Sequence, residues 1–196
     1  MSTTELFVEL IIIGMGAAIW LFLLIASIFG VAWVDADKLL SLPALIPLLS
    51  VIYVLGIVID RVADTLFERV WGRRLLRNYY ENQDRFHEDR RILYLQGERL
   101  ANLLEYGRSR LRICRGWVLN SVLILLSLNL FTWTSIAEPL RVQVAIVGSL
   151  FCLGLIYGTW FSWYKLTLND FRRVKEQAIF LRQISKSPAS LEKPGI

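Results

Sequence analysis

The sequence has few of the residues that carry out chemistry in enzymes. Its 196 residues include one histidine and two cysteines, and the histidine, His87, has no second histidine or cysteine near it in the chain. The motifs GxSxG, HExxH and CxxC and the phosphate-binding P-loop are all absent. We therefore predict no catalytic residue, no metal site and no cofactor, with a lipid-modifying enzyme as the remaining enzymatic alternative.

Charge is missing from four long apolar runs, which cover residues 10–34, 39–59, 116–137 and 142–164. At 1.5 Å per residue in a helix, each run is long enough to cross a hydrocarbon core of ~30 Å. The first run is too long for a signal peptide and has no basic residue before it, so we expect it to remain as a spanning helix. These runs predict an all-α integral membrane protein with four transmembrane helices in two hairpins.

The position of the basic residues predicts the orientation in the membrane. Of the 22 lysines and arginines, only Lys38 and Arg141 lie in the short turns between paired runs. The positive-inside rule then places both termini and the central block, residues 60–115, in the cytoplasm, and we expect a bacterial inner membrane. This rule explains the net charge of +5, so we expect no nucleic-acid partner. The absence of charge within the runs argues against a proton-coupled transporter.

The runs divide the chain into five segments. We predict a first transmembrane hairpin (1–59), the central block (60–115), a second transmembrane hairpin (116–164), an amphipathic helix (165–186) and a disordered tail (187–196). In the amphipathic helix, Thr167 is a candidate N-cap. We expect this helix to pack on the central block or to lie along the membrane surface.

The central block is predicted to form a cytoplasmic antiparallel helical hairpin. Its first half carries an apolar stripe at helical spacing: Val62, Ala63, Leu66, Phe67, Val70, Trp71, Leu75 and Leu76. The polar residues 81–85 interrupt this pattern, so we expect a turn there, with His87 near the tip. The stripe resumes at Ile92 and leads into the third run.

Two rows of opposite charge give the predicted hairpin a register. The acidic row is Asp60, Asp64 and Glu68, and the basic row that faces it in the same order is Arg115, Arg112 and Arg108. Further from the membrane, Arg69 and Arg77 are expected to face Glu105 and Glu98. An alternative is that the basic row holds anionic lipid headgroups, or only sets the orientation.

The third run carries the polar residues of the membrane part. Asn120, Ser127 and Thr134 lie seven residues apart on one helix face, and Asn129 lies on another side. An asparagine without a partner in hydrocarbon is costly, so we expect these side chains to line a pore or to meet another helix. Small residues that permit close helix packing are Gly14 and Ala18 in the first run and Gly154, Gly158 and Ser162 in the fourth.

Two functions fit these patterns. The first is a homo-oligomeric channel or pore with a cytoplasmic helical vestibule, which resembles the bestrophin and pannexin channels in the number and orientation of its spans. The second is a membrane-anchored adaptor or scaffold whose cytoplasmic hairpin docks a partner protein. Four spans enclose too little space for a pore, so the channel requires several copies of the chain.

Proteolysis of intact cells tests the predicted orientation. Protease added from outside should leave the chain uncut near Arg90, because the central block lies inside, and should cut it after the membrane is permeabilised. Fragment sizes on a gel provide the measurement. Cleavage near Arg90 in intact cells, or a short turn found inside, would contradict the topology.

Overall fold

The computed structural model describes residues 3–32, 41–80, 83–95 and 98–186. The described residues contain only helices and short connections, with no β-strand. In residues 98–106 only the backbone is described. The predicted disordered tail, residues 187–196, lies outside the described residues.

The described residues form six α-helices and one π-helix. They are α1 (Thr3–Phe29), α2 (Leu42–Phe67), a π-helix (Glu68–Gly72), α3 (Arg73–Tyr79), α4 (Gln83–Leu95), α5 (Glu98–Ser135) and α6 (Leu140–Lys186). Within this part of the chain, four segments are long and apolar enough to cross a membrane: Thr4–Phe29, Pro43–Tyr79, Gly107–Ser135 and Leu140–Gln183. The prediction of a helical protein with four candidate membrane-spanning helices is confirmed.

The first candidate span ends earlier than predicted. Helix α1 stops at Phe29, because Gly30 takes the left-handed conformation with φ of 73°. Its N–H donates to the Ala26 carbonyl at 2.9 Å. Glycine adopts this conformation without the steric cost that a side chain imposes, so it commonly ends a helix.

The central block differs from the predicted two-helix hairpin. The chain breaks at Tyr80, which is extended with φ −121° and ψ 130°, and a separate helix, α4, then begins at Gln83. The prediction of a tip at His87 is wrong, since His87 lies inside α4 and is exposed. Phe86 and Leu93 explain the extra helix, because their seven-residue spacing puts both on one buried face.

A π-helix interrupts the predicted apolar stripe, which is buried only in part. The N–H of Arg73 donates to the Glu68 carbonyl five residues earlier, as in a π-turn. Ala63 and Phe67 are buried before this turn, and Trp71, Leu75 and Leu76 are half-buried in or after it. The remaining residues of the stripe's first half, Val62, Leu66 and Val70, are exposed.

Helix α6 continues without interruption from the fourth span into the predicted amphipathic helix. Thr167 is therefore not an N-cap. Its hydroxyl donates to the Trp163 carbonyl at 2.8 Å, within the helix. No proline or glycine occurs between residues 159 and 186, so nothing in this stretch stops the helix.

The far end of α6 packs against α4. The buried cluster between them consists of Tyr80, Phe86, Leu93, Phe171 and Val174. Phe86 and Phe171 meet edge to face, with ring centroids 5.3 Å apart. This cluster fixes α4 beside α6, at the charged end of the helix bundle.

Two glycines allow α1 and α2 to pack backbone to backbone. A Cβ added at Gly14 would overlap the Ile52 carbonyl, and one added at Gly56 would overlap the Leu10 carbonyl. The sequence analysis selected Gly14 but missed Gly56. Ala18 is half-buried, further along α1.

The small residues of α6 lie on an open face instead. Nothing lies within 4 Å of a Cβ added at Gly154 or Gly158, and Ser162 is exposed. These residues make no helix contact within the described part of the chain.

The two kinds of glycine predict opposite responses to alanine. Gly56→Ala should lower the free energy of unfolding by about 1–3 kcal/mol, because α1 and α2 must move apart. Gly154→Ala is the matched control and should leave stability unchanged or raise it by up to about 1 kcal/mol, since alanine favours a helix. Circular dichroism during SDS unfolding of the detergent-solubilised protein measures both. Equal effects of the two substitutions would exclude the close crossing at Gly56.

Candidate functional site: a charged cavity at the end of the bundle

Three helices meet in a buried ion cluster at the charged end of the spans. Arg112 of α5 lies 3.2 Å from Glu9 of α1, from Nη1 to Oε2, and 3.6 Å from Asp60 of α2, from Nε to Oδ1. The Glu9 and Asp60 side chains are only 6% and 12% exposed. Arg115 pairs with Asp64 beside them. One guanidinium thus joins α1, α2 and α5.

The register of these pairs differs from the predicted one. Asp60 contacts Arg112 and Asp64 contacts Arg115, which exchanges the two expected partners. Glu9 provides the reason, because its carboxylate lies between α1 and α5 and binds the same guanidinium as Asp60. The sequence analysis did not select Glu9. Its position directly before the first apolar run was the available signal, because a carboxylate there would lie at the membrane edge and need a cationic partner.

The polar residues of the third run are bonded within the chain. Asn120 is fully buried; its amide donates to the Ile13 carbonyl at 2.8 Å and its oxygen accepts from the Trp20 indole at 3.3 Å. Asn129 donates to the Ser149 hydroxyl at 3.0 Å and so joins α5 to α6. Ser127 is also buried. Of the four predicted residues, Thr134 alone is exposed.

A cavity of about 690 Å³ lies beside the ion cluster, between the end of α2, the π-helix, α3, α4, α5 and α6. Its charged lining consists of Arg73, Arg90, Arg108, Arg112, Arg115, Asp64, Glu68 and Asp170. Asp170 interacts electrostatically with Arg90 and Arg108. The cavity is therefore lined by residues of the central block from before and after the break at Tyr80, together with residues of α6.

Aromatic side chains form the other wall of the cavity. Phe67 and Trp163 meet edge to face with centroids 4.8 Å apart, and Phe86 and Phe171 complete the wall. Trp163 is buried, so it packs within the chain. Its position brings α6 against the end of α2, on one side of the cavity.

A second ion cluster holds α4 to the far end of α6. Arg182 lies 2.6 Å from Asp89, from Nη2 to Oδ1, and 3.7 Å from Glu88. Tyr80 is buried next to Asp89, and burial together with this carboxylate raises the pKa of the Tyr80 phenol to about 12. Tyr80 therefore stays protonated at neutral pH. The sequence analysis missed Asp89 and Arg182, whose separation along the chain gives no pattern.

Three arginines of the π-helix and α3 are exposed and lie outside the lining of the cavity. Arg69, Arg74 and Arg77 are exposed, and none of them lies within salt-bridge distance of a carboxylate whose side chain is described. The predicted partners Glu98 and Glu105 fall among the side chains that are not described. We call these three residues the arginine row.

Metal ligands are not grouped in the described part of the chain, where no set of three or more histidine, cysteine, aspartate or glutamate side chains could hold a metal ion. Cys114 and Cys152 are free thiols. Comparisons of the chain with family models, with curated proteins and with solved structures found no match.

Removal of the Arg112 charge tests the ion cluster. Arg112→Gln should lower the free energy of unfolding by about 3 kcal/mol, because it leaves two buried carboxylates without a cation. Adding Glu9→Gln should recover part of this loss, since one of the uncompensated charges is then removed. SDS unfolding followed by circular dichroism provides the measurement.

Arg110→Gln is the matched control, because Arg110 lies on the same helix but is exposed. It should change stability by less than about 1 kcal/mol. No recovery in the Glu9→Gln double variant would show that Glu9 is not coupled to Arg112.

Proposed function

We propose that the protein is a membrane-anchored adaptor whose charged end docks an acidic surface of a partner protein. The observation that carries the proposal is the arginine row, Arg69, Arg74 and Arg77. Its side chains are exposed, and they lie beyond the uncharged part of the second candidate span. Arginine is favoured in recognition because its planar guanidinium binds carboxylates through two parallel hydrogen bonds.

The membrane part supports the role of an anchor. The outward faces of its helices are apolar, as at Val54 of α2 and at Val147 and Phe151 of α6. The asparagines, in contrast, are hydrogen-bonded inside the chain. A mainly apolar surface of this kind suits contact with lipid, because the backbone polar groups are satisfied within the helices.

The distance of the arginine row from the membrane favours a protein partner over lipid headgroups. If α2 leaves the membrane at Asp60, Arg69 lies about 13 Å and Arg77 about 25 Å further along the helix axis. Electrostatic attraction to a lipid surface is screened within about 8 Å at physiological salt. An acidic protein surface can approach the whole row, whereas the membrane surface cannot.

The distribution of charge supports a cytoplasmic location for the docking end. Only Lys38 and Arg141 lie in the short turns at the opposite end of the spans, and basic residues are retained on the cytoplasmic side. We propose a multi-pass protein of the bacterial inner membrane with both termini inside.

The homo-oligomeric channel stays a prediction with less support. Its expected pore lining consists of Asn120, Ser127, Asn129 and Thr134, but the first three are buried or hydrogen-bonded inside a single chain. A channel built from several copies would need a polar stripe on an outward face. The outward faces named above are apolar.

Site-specific photocrosslinking in cells tests the adaptor. A crosslinking residue at Arg74 should give a product heavier than the 22.6 kDa chain that contains a different protein. Arg69→Glu with Arg77→Glu should abolish this product without reducing the amount of chain in the membrane, because the reversed charges repel an acidic surface.

Arg85→Glu with Arg91→Glu is the matched control, since it makes the same change of charge at exposed positions of α4. A product that survives reversal at Arg69 and Arg77, or disappears equally in the control, would exclude docking on the arginine row. A product that contains only a second copy of the chain would favour the homo-oligomer instead.

A further inference from the structure

The described residues that line the cavity include more arginines than carboxylates. Five arginines face three carboxylates there, and one of the five, Arg112, is already paired with Glu9 and Asp60, which do not line the cavity. The arginines come from three different segments, with Arg73 in α3, Arg90 in α4 and the others in α5. Since the fold brings these distant charges to one space, the cavity is suited to an anionic ligand.

Two of these arginines have a buried donor without an acceptor. The Nε–H groups of Arg90 and Arg115 are buried and have no hydrogen-bond partner among the described residues. Arg115 uses Nη1 to pair with Asp64, and Arg90 lies over the Phe86 ring at 5.7 Å, so neither contact uses Nε. A buried donor of this kind is costly to leave unpaired. Both arginines also line the cavity, where a guanidinium can bind an oxyanion through parallel hydrogen bonds.

The size and the aromatic wall of the cavity specify more than a bare anion. A volume of about 690 Å³ falls in the range of small-molecule sites. Besides the arginines, the lining includes four aromatic side chains: Phe67, Phe86, Trp163 and Phe171. A ligand that matches both parts of the lining carries an anionic group and an apolar group.

The cavity lies where the helices change from apolar to charged. Arg112 and Arg115 are the last charged residues before the uncharged part of α5, and Asp64 follows that of α2 by a few residues. In a membrane this end of the cavity lies at the depth of the lipid headgroups, and Arg73, at the other end, lies about 20 Å further out along the helix axis if α2 leaves the membrane at Asp60. Phosphate is the common anionic group at that depth, and arginine binds it through parallel hydrogen bonds.

We propose that this cavity binds one phosphate ester that carries an apolar group, held by Arg90, Arg73 and Arg115 against the aromatic wall. An anionic phospholipid is the source that a membrane provides, and a soluble phosphate ester is the other source of the same chemistry. The site is independent of the adaptor, because Arg69, Arg74 and Arg77 do not line the cavity.

Native mass spectrometry of the delipidated protein in detergent tests the site. Added phosphatidic acid should give one tightly bound molecule per chain, and phosphatidylcholine with the same acyl chains should bind at least tenfold more weakly. Glycerol phosphate, which lacks the apolar group, should also bind at least tenfold more weakly. Equal binding of the two lipids would exclude recognition of the anionic group, and equal binding of glycerol phosphate would exclude a contribution of the aromatic wall.

Three variants localise the binding. Arg90→Gln should weaken binding of phosphatidic acid at least tenfold. Arg73→Gln removes an exposed arginine with little risk to folding, and should weaken binding about fivefold. Arg91→Gln on α4 is the matched control, since Arg91 is exposed and does not line the cavity. Unchanged binding in Arg73→Gln and Arg90→Gln, or an equal loss in Arg91→Gln, would overturn the assignment.

Discussion

The contact of Arg112 with Glu9 and Asp60 is the interaction on which the arrangement of the helices depends. Removing these three charges from water costs several kcal/mol per ion. Their mutual attraction offsets this desolvation cost only while the guanidinium lies between both carboxylates. The contact therefore fixes α1, α2 and α5 at the same height along their axes. Any vertical displacement of one helix would leave a charge buried without its partner.

Close packing and polar contacts extend this arrangement into the apolar part. Gly14 and Gly56 let the backbones of α1 and α2 meet, and Asn120 bonds to the Ile13 carbonyl of α1 from α5. In a lipid solvent, burial of apolar surface gives little preference for one helix contact over another, so small residues and hydrogen bonds decide the contacts. The polar residues of the spans serve this purpose in a single chain.

At the charged end, α4 and α6 form an apolar core from Phe86, Leu93, Phe171 and Val174. The core holds α4 beside α6, and the cavity lies next to it. The arginine row and the cavity are both at this end of the bundle but use different arginines.

Several features followed from the sequence because local physics determines them. The four uncharged runs specify apolar helices, and the asymmetric placement of arginine specifies an expected orientation. Residues 165–186 were predicted to form an amphipathic helix, and in this part of α6 Phe171, Val174 and Ala178 are buried. Gly14 was recognisable as a packing residue from its type and its position in a run.

Other features were decided only by the tertiary structure, because they join residues that are distant in sequence. The pairing of Asp60 with Arg112 depends on Glu9, about fifty residues earlier, and the contact of Arg182 with Asp89 has no periodic signal. The local pattern predicted a turn at residues 81–85, and the chain does break at Tyr80, but the separate helix α4 packs on α6 through Phe86 and Leu93, a contact between distant parts of the sequence. The sequence thus determined which segments are helices that suit a membrane, since apolar content and helix length are local properties. The charged cavity arose only when six elements met, because no single segment contains its charges and its aromatic wall together.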